Sequence, residues 1–247
     1  MWSKIRLFPR IVLTALGLVV VTPLLTPPIV FSSLFTSSGA PAFILMRWWA
    51  SIISFLMGLK FSVFGIENVD PGQSYIVTPN HQGNADILAL VIRLPVRFHW
   101  VIKRELLRIP VFGWALAGTG AIAIDRSNKE TAVASLNQAK NKLSDGWSML
   151  IYPEGTRTPD GKLLPFKKGP FMMAVQTGLP ILPVTSNGAF KILPKKTVAF
   201  RPGRITLTIG KPIITKGLTE DDVPWLMEQT RSAIESNLSN DYDPFKA

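Results

Sequence analysis

The sequence predicts an α/β protein: a central, largely parallel or mixed sheet flanked by helices, preceded by an N-terminal two-helix membrane anchor. Three observations predict this. An uncharged stretch runs over 11–46. After Lys60, short β-branched or aromatic runs alternate with segments of helical period, the pattern of a sheet covered by helices. The 247 residues suit one large domain with an appendage. The boundary is placed at 60/61, with an apolar membrane-binding segment over 1–60 and the α/β domain over 61–247.

In the first segment, a helix is expected near 10–25 and a second near 41–59. Pro23, Pro27 and Pro28 predict a bend between them, because proline removes a helical donor and clashes with the preceding turn. About 20 apolar residues suffice to cross a bilayer. Arg47, Trp48, Trp49 and Lys60 look like interfacial anchors. A hairpin dipping into one leaflet, a single span and a signal peptide are the competing outcomes, with two buried core helices as the soluble alternative. Lys4, Arg6 and Arg10 resemble a signal n-region, but no clear small-x-small cleavage site precedes the prolines, and a membrane anchor is the favoured reading.

In the second segment, strands are expected at 61–65, 74–78, 98–103, 121–125, 148–152, 181–185 and 204–209. Helices are expected at 86–93, 110–117, 129–143, 169–177 and 222–239. The last carries Val223, Leu226, Met227, Thr230, Ile234 and Leu238 on one side, at the spacing of a packed helical face.

Charge narrows the partners. The net charge is +11 with only 17% charged residues. Residues 161–219 contain ten Lys/Arg and no acid. Such a field attracts polyanions. Neither zinc-finger spacing nor an RNP-like aromatic motif accompanies it, so an anionic bilayer surface is expected and nucleic acid is not. The chain has no cysteine and two histidines. That excludes disulfides, thiolate metal sites and a cysteine nucleophile. No metal site and no cofactor are expected, since two histidines without a matching carboxylate cluster do not make a zinc centre.

The candidate site residues fall at strand ends, where ligands of α/β sheets sit. His81 follows the strand closed by Pro79, and Asp86 lies five residues on, with Asn84 as the expected helix N-cap. A loop before the helix lets the two touch, so that Asp86 accepts from one ring nitrogen and the other serves as a base near neutral pH. The alternative is a capping carboxylate beside a surface turn histidine. Glu154, Gly155, Thr156 and Arg157 follow another apolar strand. There a glycine permits close backbone approach, a hydroxyl donates and a guanidinium fork suits phosphate, with Glu154 expected to orient Arg157. Lys103 and Arg126 end two more strands. One base and three cations on one rim suit a phosphorylated hydroxyl substrate. His99, inside an alternating strand, reads as structural. Gly118-Thr119-Gly120 precedes a strand and does not open a helix, which argues against a dinucleotide site.

These motifs resemble the 1-acyl-sn-glycerol-3-phosphate acyltransferase (lysophosphatidic acid acyltransferase) family. Asn80-His81 with Asp86 matches its NH-x4-D block. Gly120 through Arg126 matches the second block, Pro153 through Arg157 the third, and Leu179 through Val184 the fourth. Tyr152 stands where Phe is common. The resemblance implies transfer of an acyl chain from acyl-CoA or an acyl carrier protein to the sn-2 hydroxyl of 1-acylglycerol 3-phosphate, giving phosphatidic acid. His81 would be the general base, Asp86 its partner, and no covalent enzyme intermediate would form. It also implies a phosphate site at Gly155, Thr156 and Arg157 with Arg126 and Lys103, and a catalytic domain on the cytoplasmic face. Another acceptor, such as glycerol 3-phosphate or a lysophospholipid, and a non-catalytic anionic-lipid-binding protein stay open as alternatives.

Overall fold

The computed structural model describes residues 4–35, 39–124, 143, 146–195, 197, 199–239 and 241–246. Arg126 and nearly all of the helix expected at 129–143 lie outside these residues. Seven strands form one sheet: β1 (Leu59–Phe64), β2 (Ile76–Pro79), β3 (Arg97–Lys103), β4 (Ile122–Ile124), β5 (Trp147–Leu150), β6 (Ile181–Asn187) and β7 (Gly203–Ile209). Their order is β1-β7-β6-β2-β5-β3-β4. Neighbours from β6 to β4 pair in parallel, β6 and β7 antiparallel, and β7 and β1 parallel. The parallel run places the carboxyl ends of β2, β5, β3 and β4 along one rim. Every residue of β2 and β5 is buried, as expected of central strands covered on both faces.

The helices are α1 (Lys4–Phe35), α2 (Ala40–Met57), α3 (Asn84–Arg93), α4 (Phe112–Gly118), α5 (Gly169–Thr177), the short α6 (Ala189–Ile192) and α7 (Val223–Glu235). On one sheet face, α2 and α3 pack on Val77, Phe98, Leu150 and Leu182. On the other, α5 and α7 pack on Ile76, Val101, Met149 and Ile181. Alternate strand residues thus feed two cores, as the period of a strand requires. Burying each large apolar side chain contributes about 1.5–3 kcal/mol.

The expected bend at the prolines is corrected. α1 is one helix of 32 residues with Pro23, Pro27 and Pro28 inside it. All three are exposed, while Thr26 and Ile29 are buried. The deleted donors therefore cluster on the outward side, and the packed side of the helix continues. The turn falls instead at Gly39, with φ 64°, and Pro41 takes the first turn of α2, where its missing N–H is harmless. α2 buries Phe43, Met46, Ala50, Ile53 and Met57 on one face and shares the sheet's core. α6 was not expected, being only four residues long.

Candidate active site

The loop between β2 and α3 is held from three directions. Asn80 exchanges two hydrogen bonds with Ser186 of β6, Nδ2 to O at 3.1 Å and Ser186 N to Oδ1 at 2.6 Å. Gln82 Oε1 accepts from Gly188 N at 3.0 Å. Thr158 N donates to His81 O at 2.9 Å. Gly83 is extended, and its reason is space: a Cβ there would stand 2.6 Å from Leu193 O and 2.9 Å from Ala189 O. Gly83, not Asn84, is the N-cap of α3, one residue before the expected position.

This loop brings His81 onto Asp86, as the spacing suggested. His81 Nδ1 lies 3.1 Å from Asp86 Oδ2. The same oxygen accepts from Gln82 N at 2.8 Å and Gly83 N at 3.0 Å. Oδ1 accepts from the Tyr152 hydroxyl at 2.8 Å. Asp86 is fully buried, and the His81 side chain is 13% exposed. A buried carboxylate must be paired and hydrogen-bonded, and four donors meet that demand. Asp86 is thus both the helix cap and the histidine's partner, roles that the sequence presented as alternatives. Its bond fixes the imidazole through Nδ1 and directs Nε2 away from the carboxylate. The His81 ring also lies on the Tyr152 ring, with centroids 3.7 Å apart and planes at 12°. Burial and the Asp86 carboxylate hold the Tyr152 phenol protonated, well above its ordinary range.

Glu154 has a different task from the one expected. Instead of orienting Arg157, its carboxylate accepts from His81 N at 2.7 Å and Leu164 N at 3.0 Å, bracing the histidine's own backbone against the segment that follows. Burial raises its pKa to about 7, against the pull of those two N–H groups. Gly155 turns the chain at φ 69°, a left-handed geometry that glycine adopts without penalty, and its N–H bonds Tyr152 O at 3.0 Å.

Thr156 and Arg157 complete the turn beside the dyad loop. Lys195, which no motif singled out within the basic tract, reaches this turn. Its Nζ donates to Thr156 Oγ1 at 3.2 Å and Arg157 O at 3.1 Å. Lys103 ends β3 at the same rim, exposed and paired with Glu105 at 2.9 Å. His99 is structural in its contacts: it stacks on Trp147 at 4.4 Å and its Nδ1 lies 3.3 Å from Thr119 O.

An apolar cavity of about 770 Å³ has Asn84, two residues from Asp86, and Trp100, 6.2 Å from the Tyr152 ring, in its wall. It runs between α1, α2, α3 and α4, from Asn84 and Trp100 near the dyad to Met57 and Val91. Trp49 Nε1 donates to Thr22 Oγ1 at 3.0 Å, so the polar tip of this wall residue is satisfied within the α1–α2 pair.

Known proteins share this chain's sequence pattern and fold. A family model described as Acyltransferase matches residues 60–187. The human 1-acyl-sn-glycerol-3-phosphate acyltransferase alpha is 36% identical over 183 residues, covering 74% of this chain and 65% of that protein. The human beta protein of the same name is 32% identical over 195 residues, covering 78% and 70%. The Saccharomyces cerevisiae 1-acyl-sn-glycerol-3-phosphate acyltransferase is 32% identical over 195 residues, covering 78% and 64%. The chain thus spans just under two thirds of the human alpha and yeast proteins. The crystal structure of the 1-acyl-sn-glycerophosphate (LPA) acyltransferase PlsC from Thermotoga maritima aligns with TM-score 0.80 and 27% identity over 95% of both chains.

Proposed function

The chain belongs to the acyltransferase family, and from that premise we propose that it transfers an acyl chain from an acyl thioester to the sn-2 hydroxyl of 1-acylglycerol 3-phosphate. The single observation that carries the reading is the buried Asp86 carboxylate 3.1 Å from Nδ1 of a slightly exposed His81. Simple lipid binding needs no base held in one tautomer. The names of the human and yeast relatives supply the acceptor class.

In this reading, His81 Nε2 removes the acceptor's hydroxyl proton as the oxygen attacks the thioester carbonyl. The tetrahedral intermediate collapses with cleavage of the C–S bond, and the imidazolium returns the proton to the departing thiolate. The products are phosphatidic acid and free thiol. No enzyme nucleophile, metal or cofactor takes part. Gly155, Thr156 and Arg157 hold the acceptor phosphate, with Lys103 at the rim as a further cation and Arg126 assigned to the phosphate by its motif alone. The cavity takes an acyl chain, which its apolar lining suits. The donor is acyl-CoA or an acyl carrier protein, and the basic tract of 161–219 suits the phosphates of one or the acidic surface of the other.

We propose further that the protein sits on one leaflet, with the α/β domain on the cytoplasmic face where such donors are found. α1 and α2 are long and apolar enough to cross a membrane. Yet α1 lies along α2, with Arg10 at Gly58, Gly17 at Leu56 and Thr22 at Trp49, α2 shares the sheet's core, and Ile29 meets Gly118 of α4. A span would drag that domain into hydrocarbon. Exposed Leu16, Leu24, Phe31 and Phe35 form an outward apolar stripe, which this reading places in the leaflet.

The test is thiol release from acyl-CoA and from acylated carrier protein, with 1-acylglycerol 3-phosphate, glycerol 3-phosphate and a phosphate-free lysolipid as acceptors. The first acceptor should support turnover, and His81→Ala should lower the rate about 10²–10⁴-fold while vesicle binding persists. Near-full activity in that variant overturns the role of His81.

A further inference from the structure

A second exposed apolar surface lies outside the helical pair. From Ile109 to Ile124 the chain carries no charged residue, although part of this stretch faces outward. Ile109 is 45% exposed and Trp114 59%, and Pro110 and Ala117 are exposed beside them. Their inward counterparts, Gly113 and Gly118, are buried. Just before them the 3-10 turn Arg104–Arg108 presents exposed Arg104 and Arg108. A tryptophan on an uncharged outward face, flanked by arginines, has the composition of an interfacial element, with the aromatic ring at headgroup level and cations toward anionic lipid.

The placement of α4 ties this surface to α1. Thr26 Oγ1 of α1 lies 3.5 Å from Val111 O. At the other end of α4, a Cβ on Gly118 would meet Ile29 Cγ2 at 2.8 Å. α4 therefore lies against α1 at the level of Thr26 to Ile29. On that part of α1, Leu24, Pro27, Pro28 and Phe31 face outward. α1 can enter lipid there only with α4 alongside. α4 is also a cavity wall, contributing Phe112, Ala115 and Leu116.

We propose that the 104–117 segment is a third membrane-contacting element, which inserts Ile109 and Trp114 into an anionic leaflet beside α1. Its inner side lines the cavity, so lipid chains pass between bilayer and site along the α1–α4 seam. This rests on the reading that α1 enters one leaflet, and the experiment separates the two. The chain has no cysteine, so one introduced thiol carries a probe at one place. Full-length Leu16→Cys, Trp114→Cys and Trp225→Cys proteins would each be labelled with an environment-sensitive fluorophore. They would be mixed with phosphatidylcholine–phosphatidylglycerol vesicles containing a spin-labelled quencher lipid. Trp225 is half-exposed on α7, against the opposite sheet face, and is the reference. Quenching at 16 and 114 but not 225 is expected. Quenching at 16 alone overturns this proposal and leaves the membrane reading standing. No quenching at 16 overturns both, and equal quenching at all three overturns a defined surface. As a second measurement, Ile109→Glu should lower vesicle partitioning about tenfold, and unchanged partitioning overturns the proposal.

Discussion

The Tyr152 hydroxyl donates to Asp86 Oδ1 at 2.8 Å while its ring lies against His81 at 3.7 Å, so one residue touches both members of the dyad. The phenol partly neutralises the carboxylate that faces the imidazole. Tyr152→Phe keeps the stack and removes the donor. Asp86 then loses one of its four donors, and its hold on the imidazole loosens. An activity loss of about two- to tenfold is expected at neutral pH, with KM little changed. The orphaned buried acceptor costs about 1–3 kcal/mol of stability, which denaturant unfolding measures. Unchanged kcat and unchanged stability would show that the hydroxyl only fills space.

Glu154 gives the protein an opposed pH response in stability and in site order. Its pKa is raised from 4.5 to about 7, so between these values the folded state binds more protons than the unfolded one. Stability therefore falls as pH rises through this window, by on the order of 3 kcal/mol from this group. The ionised form is nonetheless the one that accepts from both His81 N and Leu164 N. Glu154→Gln should flatten the decline in unfolding free energy between pH 4.5 and 7. It should also lower kcat about tenfold, since one side of an amide cannot accept. A variant that keeps the wild-type slope of stability with pH would count against this assignment.

Much of this site was legible beforehand because short-range chemistry places it. His81 and Asp86 are five residues apart, and a proline-ended strand followed by a glycine loop suffices to bring them together. The strands were equally legible: each is a compact apolar run between turn residues. What escaped was decided across long sequence separations. Lys195 meets Thr156 across 39 residues, and Glu154 reaches His81 across 73. The continuity of α1 through its prolines was hidden for a similar reason. Whether a deleted donor ends a helix depends on which side faces α4, and that is a tertiary fact.

The cation at that long-range contact predicts a division of labour in acceptor binding. Arg157 presents a planar fork, while Lys195 is tethered to Thr156 and the Arg157 carbonyl. Arg157→Ala should raise the acceptor KM by tenfold or more, and Arg157→Lys should restore little, because an ammonium cannot reproduce bidentate phosphate contact. Lys195→Ala should raise the same KM only a few-fold by loosening the turn, and leave the donor KM unchanged. Steady-state kinetics with each substrate varied in turn tests both. A larger effect of Lys195→Ala on the donor than on the acceptor would reassign that lysine to the thioester.

Chain-length preference should follow the depth of the cavity. On α3, Asn84, two residues from Asp86, and Val91 both line the cavity. They are seven residues apart, about 10 Å along a helix, which is the reach of a medium-length acyl chain. Val91→Trp places an indole in the cavity about two helical turns from Asn84, without touching the dyad. Val91 is almost fully buried, and overpacking there costs about 1–3 kcal/mol, so variant and wild type are compared where both are folded by thermal unfolding. The expected outcome is a shift toward shorter acyl donors, with kcat/KM for long chains falling at least tenfold and that for short chains retained. Val91→Ala should act in the opposite direction, admitting longer chains. Equal losses for all chain lengths in Val91→Trp would mean that the cavity does not measure the acyl chain.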